Sequence, residues 1–354
     1  MFQKYYTYDD VALVPQFNNI LSRTEPDLSS WITKNTKIGM PLIPANMDTV
    51  ISIDLAKIII DNGGFPIFHR FCPLEEQVNF VKTYPDKCYV SIGMNNVENL
   101  KVLYEAGAKG VCIDIAHGHS LQMINLIRDI KSTYPDKEII AGNICTPMAY
   151  NDLVNAGADC CKVGIGGGSA CTTRIVTGFG VPQFSAIYNI SEYAKKLKVP
   201  IIADGGIRNS RDIVLSLAAG ASAVMTGNLF AKTLESAAPK YSKRENIFIK
   251  DSEKLMEYYK EDKNDICMHY RGQASANFQK DYYGKVKKNT VPEGIDFMTK
   301  CSGSGQELID GLLGGVRSGL TYGSARNIKE LQRKSEFVEV THNYSSESVP
   351  RPNQ

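Results

Sequence analysis

The chain has 354 residues, of which 43% are hydrophobic and 22% charged, with 40 basic and 38 acidic side chains and a formal charge of +2. These proportions are typical of a globular protein with a buried core and exclude the disordered and fibrous classes. So small a net charge gives no reason to expect nucleic acid or a membrane as partner, which leaves small molecules.

The N-terminus, MFQKYYTYDD, lacks the apolar segment of a signal peptide, and no run of about 18 apolar residues follows it. We therefore expect a cytoplasmic protein. The nine cysteines are scattered, with no CxxC pair and no histidine at a metal-binding spacing. Eight of them are interpreted as buried apolar side chains, whereas Cys171 stands in a different context.

Three segments repeat a pattern of helix end, turn and apolar strand: EAGAKGVCIDIAHG from Glu105, NAGADCCKVGIGGG from Asn155 and AAGASAVMTGN from Ala218. The glycine of each Ala-Gly-Ala favours a left-handed helix end. The run after it has the length and β-branched content of a buried parallel strand. Such repetition predicts a ring of βα units.

Eight short apolar runs fit this unit, with starts between 22 and 40 residues apart. They are PLIPAN from Pro41, FPIFHR from Phe65, CYVSIG from Cys88, GVCIDI from Gly110, EIIAGN from Glu138, CCKVGI from Cys160, PIIADG from Pro200 and SAVMTG from Ser222. Eight such units predict a (β/α)8 TIM barrel that forms one catalytic domain over residues 1–341. The alternative is an open doubly wound sheet, which rarely contains eight such even units.

Active sites of this fold lie on the loops that follow the strands, and two of these loops are long. One runs from Gly166 to about Ser185, and the other, at about 232–305, is rich in Lys, Asp, Tyr and Glu. The second is too long for a plain connection and too polar for a core of its own, so we expect a mobile flap over the barrel mouth. The polar residues 342–354 predict a disordered tail.

The loop after the sixth strand reads KVGIGGGSACTTR, from Lys162 to Arg174. Successive glycines allow backbone amides to hold a phosphate, or backbone carbonyls to hold a cation. Cys171 follows at the catalytic face, where such amides, a helix start and Arg174 favour a nucleophilic thiolate. The alternative is that Cys171 is one more small buried side chain, and spacing alone does not decide between the two.

The seventh and eighth strands end in Asp204-Gly205-Gly206 and Met225-Thr-Gly227-Asn228, where phosphate sites of this fold usually form. Asp204 is then placed to accept hydrogen bonds from two ribose hydroxyls, although the glycines also suit plain tight turns. Polar residues close four other strands as well: Asn46, His69-Arg70, Asp114 and Asn143.

The loop KVGIGGGSACTTR, with YTYDDVALVP, PANMDTV, IIADGGI and HYRGQAS, resembles the IMP dehydrogenase and GMP reductase family from Tyr6 to about Thr341. The resemblance implies a homotetrameric (β/α)8 barrel that takes GMP or IMP, with Cys171 forming a covalent bond to purine C2. It also implies a nicotinamide cofactor and a potassium ion.

Matching the motifs residue by residue assigns roles to particular side chains. The substrate set comprises phosphate contacts at Ser169, Gly206, Gly227 and Tyr270, a ribose contact at Asp204, a base near Gln273 and Ala274, and the neighbouring Gly205 and Asn228. The cofactor set comprises Asp114, Asn143 and Arg174, and the carbonyls of Gly166, Gly168 and Cys171 would surround potassium. The chain departs from the family at Gly167, where proline is usual, and at Asn228, where dehydrogenases usually have serine.

Two activities exist in this family, and the flap should distinguish them. Dehydrogenases are expected to carry an Arg-Tyr pair that activates water, and Gln279-Lys280 stand at that position. Reductases are expected to use a threonine two residues after the cysteine and a flap glutamate, which fit Thr173 and Glu293. Arg70 would add positive charge near the base. The chain also has no room between its second and third strands for the regulatory modules of most dehydrogenases.

The sequence therefore predicts a GMP reductase that uses NADPH to convert GMP to IMP and ammonia. An IMP dehydrogenase without regulatory modules is the alternative, because the chain shares the dehydrogenase motif Val-Pro-Glu-Gly that ends at Gly294. A purine-nucleotide-binding barrel without catalytic activity is a third possibility, against which the presence of Cys171, Thr173 and Glu293 argues.

Overall fold

The computed structural model describes residues 3–286, 289–341 and 343–349, and its centre is an eight-stranded parallel sheet. The strands are β1 (Leu42–Pro44), β2 (Ile67–Phe68), β3 (Tyr89–Ile92), β4 (Gly110–Asp114), β5 (Glu138–Ile144), β6 (Cys160–Val163), β7 (Ile201–Asp204) and β8 (Ala223–Thr226). Consecutive strands from β2 to β8 are neighbours, and β1 pairs with β8. This order is that of a TIM barrel, nearly closed at the β1–β2 seam. The predicted barrel is confirmed and the open sheet is excluded.

Seven helices alternate with these strands: α1 (Ile53–Asp61), α2 (Leu74–Thr83), α3 (Leu100–Glu105), α4 (Leu121–Thr133), α5 (Pro147–Ala156), α6 (Gln183–Leu197) and α7 (Ser210–Ala219). A further helix, Gly305–Tyr322, follows the flap and packs against α7 and α1. Glycines 107, 157 and 220, one from each repeated segment, have φ of 109°, 119° and 122°. These left-handed helix ends agree with the repeat as interpreted from the sequence.

Most residues of the barrel strands are buried. All four residues of β3, β6 and β8 are buried, as expected for parallel strands covered by helices. An antiparallel pair of strands, Ser30–Trp31 and Lys37–Ile38, covers the N-terminal end of the barrel. It is held by the buried carboxylate of Glu138, which accepts hydrogen bonds from the hydroxyls of Thr33, Thr36 and Tyr89.

The flap has more internal structure than its polar composition predicts. Its strands, in the order Ile247–Ile249, Lys240–Ser242, Ile266–Arg271 and Asp296–Lys300, form an antiparallel sheet. The helices Ser252–Glu261 and Ala276–Tyr283 complete it. A small apolar cluster lies within the flap and consists of Ala238, Ile249, Leu255, Ile266 and Met268. The expectation that the flap has no core of its own is therefore wrong.

The remaining elements lie around the barrel. The strand Val11–Leu13 pairs with Phe337–Glu339, and the short helices are Tyr8–Asp10, Val97–Asn99, Thr173–Thr177, Asn228–Ala231, Ile328–Lys334 and Asn343–Glu347. The last of these helices lies inside the tail expected to be disordered, and the disorder of that tail stays a prediction. Residues 342 and 350–354 of the predicted tail lie outside the described residues. No helix in the described part of the chain is long and apolar enough to cross a membrane.

The tightest approach between two barrel strands yields a stability prediction. A Cβ added at Gly110 would lie 2.2 Å from the carbonyl oxygen of Glu138 on the neighbouring strand, whereas one added at the exposed helical Gly311 would meet nothing within 4 Å. We expect Gly110→Ala to lower the free energy of unfolding by about 1–3 kcal/mol, because β4 and β5 must separate. Gly311→Ala should raise it by about 1 kcal/mol or less, because alanine is the better helix former.

The measurement is the midpoint of chemical unfolding of each variant beside the unchanged protein. Equal midpoints for Gly110→Ala and the unchanged protein would contradict the close packing of β4 on β5.

Candidate active site

The loop that follows β6 turns at Gly164 and places Cys171 at the C-terminal end of the barrel. Gly164 has a φ of 152°, and a Cβ there would lie 1.8 Å from the carbonyl oxygen of Asp204, so only glycine fits against the end of β7. Further on, the amide of Cys171 donates to the carbonyl of Gly168 at 3.0 Å. This turn is followed by the short helix Thr173–Thr177. The loop thus presents Cys171 beside the strand that ends in Asp204.

Arg174 braces this loop from inside. One guanidinium nitrogen donates to the carbonyl of Val181 at 2.6 Å and lies 3.3 Å from that of Ile165, and the side chain packs on Gly166 and Gly180. The structure therefore gives Arg174 partners within the loop, and its predicted contact with a cofactor stays a prediction.

The flap pairs directly with the loop that carries Cys171. The amide of Thr172 donates to the carbonyl of Glu293 at 2.9 Å, and the amide of Ile295 donates to the carbonyl of Ala170 at 2.9 Å. Cys171 consequently faces Gly294 as in an antiparallel ladder. The opposite side of the flap segment is held by the amide of Glu293, which donates to the carbonyl of Ala274 at 3.1 Å.

This pairing places the side chain of Glu293 within reach of the thiol through one hydroxyl. The Cys171 thiol donates to the Thr173 hydroxyl at 3.2 Å, and that hydroxyl donates to a carboxylate oxygen of Glu293 at 2.8 Å. All three side chains are half-buried. A proton can therefore pass between sulfur and carboxylate without an intervening water.

A buried lysine organises the ends of β4, β5 and β7. Lys162, only 3% exposed, pairs with Asp114 at 2.9 Å and with Asp204 at 2.7 Å. Burial opposes its charge, but the two carboxylates outweigh that effect and raise the pKa of Lys162 above its usual value. The Asn143 amide nitrogen also donates to Asp204, at 2.9 Å. The structure thus brings together Asp114, Asn143 and Asp204, three residues singled out from the sequence.

Lys162 itself was not identified as a site residue from the sequence. The sequence does contain an indication of its role. A lysine interrupts the apolar strand CCKVGI, and a buried ammonium group requires charged partners. In the structure its partners are the acidic residues at the ends of the neighbouring strands, Asp114 and Asp204.

The residues predicted to hold a phosphate also converge. The Tyr270 hydroxyl donates to the sulfur of Met47 at 3.6 Å, and it lies so near Gly227 that a Cβ there would come within 2.5 Å. Burial raises the pKa of Tyr270 to about 12, although the nearby Ser169 opposes this. Gly205 and Gly206 have φ of 101° and 78° and face the backbone of Gly167 and Gly168. Asn228 begins the short helix Asn228–Ala231, and its predicted contact stays a prediction.

The turn of the flap at residues 272–275 docks on the end of β1. The Gln273 amide donates to the carbonyl of Asn46 at 3.0 Å, and Arg271 pairs with Asp48 at 2.6 Å. The ion pair between Arg271 and Asp48 was not recognised from the sequence, since the two residues lie far apart in the chain. It fixes the position of Gln273 and Ala274, the residues expected near a purine base.

Arg70 lies in an aromatic contact between the barrel and the flap. Its guanidinium carbon lies 4.2 Å from the centre of the Phe71 ring, and Phe71 meets the flap rings of Phe278 at 4.8 Å and Tyr282 at 5.5 Å. The Arg70 Nε atom is buried without a hydrogen-bond partner among the described residues. The predicted catalytic role of Arg70 stays a prediction.

The cysteines other than Cys171 are not uniformly buried. Five are buried, as expected, whereas Cys72, Cys145 and Cys301 are half-buried, which corrects the interpretation of all eight as core residues. Cys72 also has a histidine neighbour, because donor atoms of His69, Cys72 and Glu76 lie within 4.8 Å of one another. The expected lack of such neighbours is therefore wrong. One His69 nitrogen already accepts the amide of Phe71 at 3.2 Å, so we assign no ion there.

Comparison with known proteins identifies the family. Residues 5–351 match the family model described as the IMP dehydrogenase / GMP reductase domain. Inosine-5'-monophosphate dehydrogenase of Borreliella burgdorferi is 36% identical over 97% of this chain and 96% of its own length, and GMP reductase 1 of Mus musculus is 32% identical over 96% of each. A solved structure is also similar: the crystal structure of a cysteine-to-alanine variant of GMP reductase from Trypanosoma brucei, in complex with guanosine 5'-monophosphate. It superposes on this chain with a TM-score of 0.89 and 25% sequence identity. The superposition covers 100% of this chain and 99% of the other. The resemblance seen in the motifs is confirmed, and the chain belongs to the IMP dehydrogenase / GMP reductase family of oxidoreductases.

Proposed function

We propose that the protein is an NADPH-dependent GMP reductase, which converts GMP to IMP and ammonia. The observation that carries the proposal is the hydrogen-bonded series from Cys171 through Thr173 to Glu293, at 3.2 and 2.8 Å. Relatives with either activity match nearly the whole chain, so similarity alone does not choose between them. The choice therefore depends on which reaction these side chains can support.

GMP would bind across the ends of the barrel strands. Its 5′-phosphate would meet the groups around Tyr270, Ser169, Gly206 and Gly227, and its ribose hydroxyls would donate to Asp204. Because Lys162 and Asn143 hold the Asp204 carboxylate at 2.7 and 2.9 Å, the ribose acceptor is oriented before the ligand arrives. The base would then lie between the flap turn and the thiol.

The Cys–Thr–Glu series accounts for the proton that the reaction requires. As the sulfur of Cys171 bonds to C2, its proton passes through the Thr173 hydroxyl to Glu293. The same proton returns through Thr173 to the 2-amino group, which leaves as ammonia with the electrons of its bond to C2. The product on the enzyme is a thioimidate, and no water is consumed.

The cofactor is assigned to the ends of β4 and β5. The Asn143 side-chain oxygen is buried and has no hydrogen-bond partner among the described residues, so it fits the amide donor of a nicotinamide carboxamide. Asp114 lies in the same cluster, across Lys162. When bound, NADPH supplies the hydride that reduces C2. Asn143 and Asp114 would hold and orient its ring.

A potassium ion is assigned to the loop carbonyls of Gly166, Gly168 and Cys171. Backbone carbonyls are ligands of the hard cations, and glycines allow several of them to face one point. The Gly168 carbonyl already accepts the Cys171 amide at 3.0 Å and retains a second lone pair. The ion would hold the loop that positions Cys171.

IMP dehydrogenase is the second candidate, supported by dehydrogenase relatives at 36% identity. That reaction ends with water attacking the thioimidate and so needs a base near the sulfur. Gln279 and Lys280, on the flap helix Ala276–Tyr283, offer an amide and an ammonium, neither of which takes up a proton at neutral pH. The reductase is therefore preferred.

The decisive assay compares the two reactions directly. Purified protein given GMP and NADPH should form IMP and ammonia, followed by loss of NADPH absorbance and by ammonia release. With IMP and NAD⁺ it should form little or no XMP, because Gln279 and Lys280 stand where the water-activating Arg-Tyr pair of dehydrogenases is expected. Steady XMP formation without NADPH oxidation by GMP would assign the chain to the dehydrogenases, and failure of both reactions would favour a binding protein without activity.

Loss of the carboxylate should slow the release of ammonia. We expect Glu293→Gln to reduce turnover of GMP by about 10²–10⁴-fold, the usual size of an acid–base contribution, while GMP affinity changes little. Glu257→Gln, at an exposed site on the flap helix Ser252–Glu261, is the matched control and should behave as the unchanged protein. Rates for Glu293→Gln equal to those of this control would remove Glu293 from the mechanism.

Loss of the thiol should abolish turnover and leave binding intact. Cys171→Ala should show no measurable NADPH oxidation and no covalent nucleotide, yet should bind GMP, because the phosphate and ribose contacts do not involve sulfur. Cys301→Ala, which removes a half-buried flap thiol, is the control and should remain active. Turnover by Cys171→Ala within about tenfold of the unchanged protein would exclude Cys171 as nucleophile.

A further inference from the structure

A cavity lies at the opposite end of the barrel from Cys171. Its volume is about 880 Å³, and four segments line it: the strand pair around Trp31, the connection from α6 to β7, the connection from α7 to β8, and the helix Ile328–Lys334. Lys198 and Pro200 lead into β7 and Ser222 leads into β8, so this basal cavity sits at the N-terminal ends of the strands. None of the residues assigned to GMP, NADPH or potassium lines it.

The charged side chains of the basal cavity are nearly all positive. The cations are Lys34, Lys37, Lys195, Lys198, Lys329 and Arg333, against one carboxylate, Asp27. In a chain whose formal charge is only +2, this is a strong local concentration of positive charge. Asp27 is occupied by the Ser29 amide at 2.8 Å and the Ser29 hydroxyl at 2.7 Å, and these bonds lower its pKa.

Five of these six cations form no ion pair within the described part of the chain, although the charge of Lys37 helps to lower the pKa of Asp27. The sixth, Lys34, pairs with Asp159 at 3.0 Å. Two of them, Lys195 and Lys198, lie at the C-terminal end of α6, where a positive charge is favourable in any case. A helix C-terminus does not explain the positions of Lys37 and Lys329, which belong to other segments and line the same cavity.

The uncharged polar groups of the cavity are already used by the protein. The Gln332 amide donates to the carbonyl of Ala221 at 3.0 Å, and the Ser222 hydroxyl donates to that of Ile201 at 2.9 Å. The donors that remain for a ligand are therefore ammonium and guanidinium groups. These recognise charge more than shape, and phosphate oxygens are their usual partners.

We propose that the basal cavity binds a small polyphosphate, a soluble molecule that carries two or more linked phosphate groups. The volume lies within the range of small-molecule sites, and a concave cavity excludes an extended polymer better than a flat basic surface does. A multiply charged anion would offset the mutual repulsion of the lysines. The phosphates come either from an inorganic chain or from a nucleotide, whose base would have the half-exposed ring of Trp31 as a stacking surface.

The chain contains a direct probe of this site. Trp31 is its one tryptophan, it is 38% exposed and it lines the basal cavity. Its fluorescence therefore reports occupation of this cavity and not of the active site. Inorganic triphosphate, added to the full-length protein at low salt, should change this fluorescence in a saturable manner and raise the melting temperature, because a ligand bound only to the folded state stabilises it.

Matched charge variants test whether the cations are responsible. The triple variant Lys37→Ala, Lys198→Ala, Lys329→Ala should bind triphosphate at least about tenfold more weakly, given roughly 1.4 kcal/mol per tenfold change in affinity. The control triple variant removes the same charge at exposed sites elsewhere, Lys82→Ala, Lys87→Ala, Lys260→Ala, and should bind as the unchanged protein. Affinity should also fall as salt is raised.

Parallel titrations with ATP and adenosine distinguish the two sources of phosphate. ATP binding more tightly than triphosphate indicates a nucleotide, with Trp31 contacting the base, and equal affinities indicate an inorganic chain. Either result supports the proposal. Adenosine binding as tightly as ATP, no saturable fluorescence change with triphosphate, or equal affinities of the two triple variants would overturn it.

Discussion

The candidate chemistry depends on one short piece of backbone pairing, in which flap residues 293–295 run antiparallel to loop residues 170–172. The amides of Thr172 and Ile295 make the two outer hydrogen bonds, each at 2.9 Å, and Cys171 and Gly294 face each other between them. Backbone hydrogen bonds of this kind set the distance between the side chains of the paired residues. The distances from thiol to hydroxyl to carboxylate therefore follow from the pairing. The sheet and the apolar cluster of the flap support the segment that takes part in it.

The barrel contributes a second fixed element, the buried ammonium of Lys162. It holds Asp114 and Asp204 on either side, although two carboxylates would otherwise repel each other in a half-buried site. Removing one partner of such a group leaves an uncompensated buried charge. The residues proposed to hold the nucleotide and the cofactor thereby belong to one electrostatic unit, and the loop glycine at 164 brings Cys171 against the same strand end.

The sequence predicted the barrel well because its signals are local. Each apolar run and each Ala-Gly-Ala helix end can be recognised in a short stretch of sequence. Seven of the eight runs contain the whole observed strand, and β5 extends one residue beyond its run. Thr173 and Glu293 were both found through the motifs of the family, since nothing local links two residues that lie 120 apart in the chain. The pairing of Arg271 with Asp48 and the flap's apolar cluster depend on tertiary contacts between distant or sparse residues. No short window of the sequence contains them.

The division of the Cys–Thr–Glu series between two parts of the chain has a consequence for timing. Cys171 and Thr173 belong to the barrel and Glu293 belongs to the flap, so the three meet only while the flap is docked. Lifting it by a few ångströms would break the backbone pairing and separate the acid from the thiol. Neither the barrel nor the flap alone could then carry out the proton transfer between the thiol and the carboxylate. If a nucleotide enters beneath the flap, the site would be open to it only while the thiol, the hydroxyl and the carboxylate are apart, and the three would act together only once the site has closed.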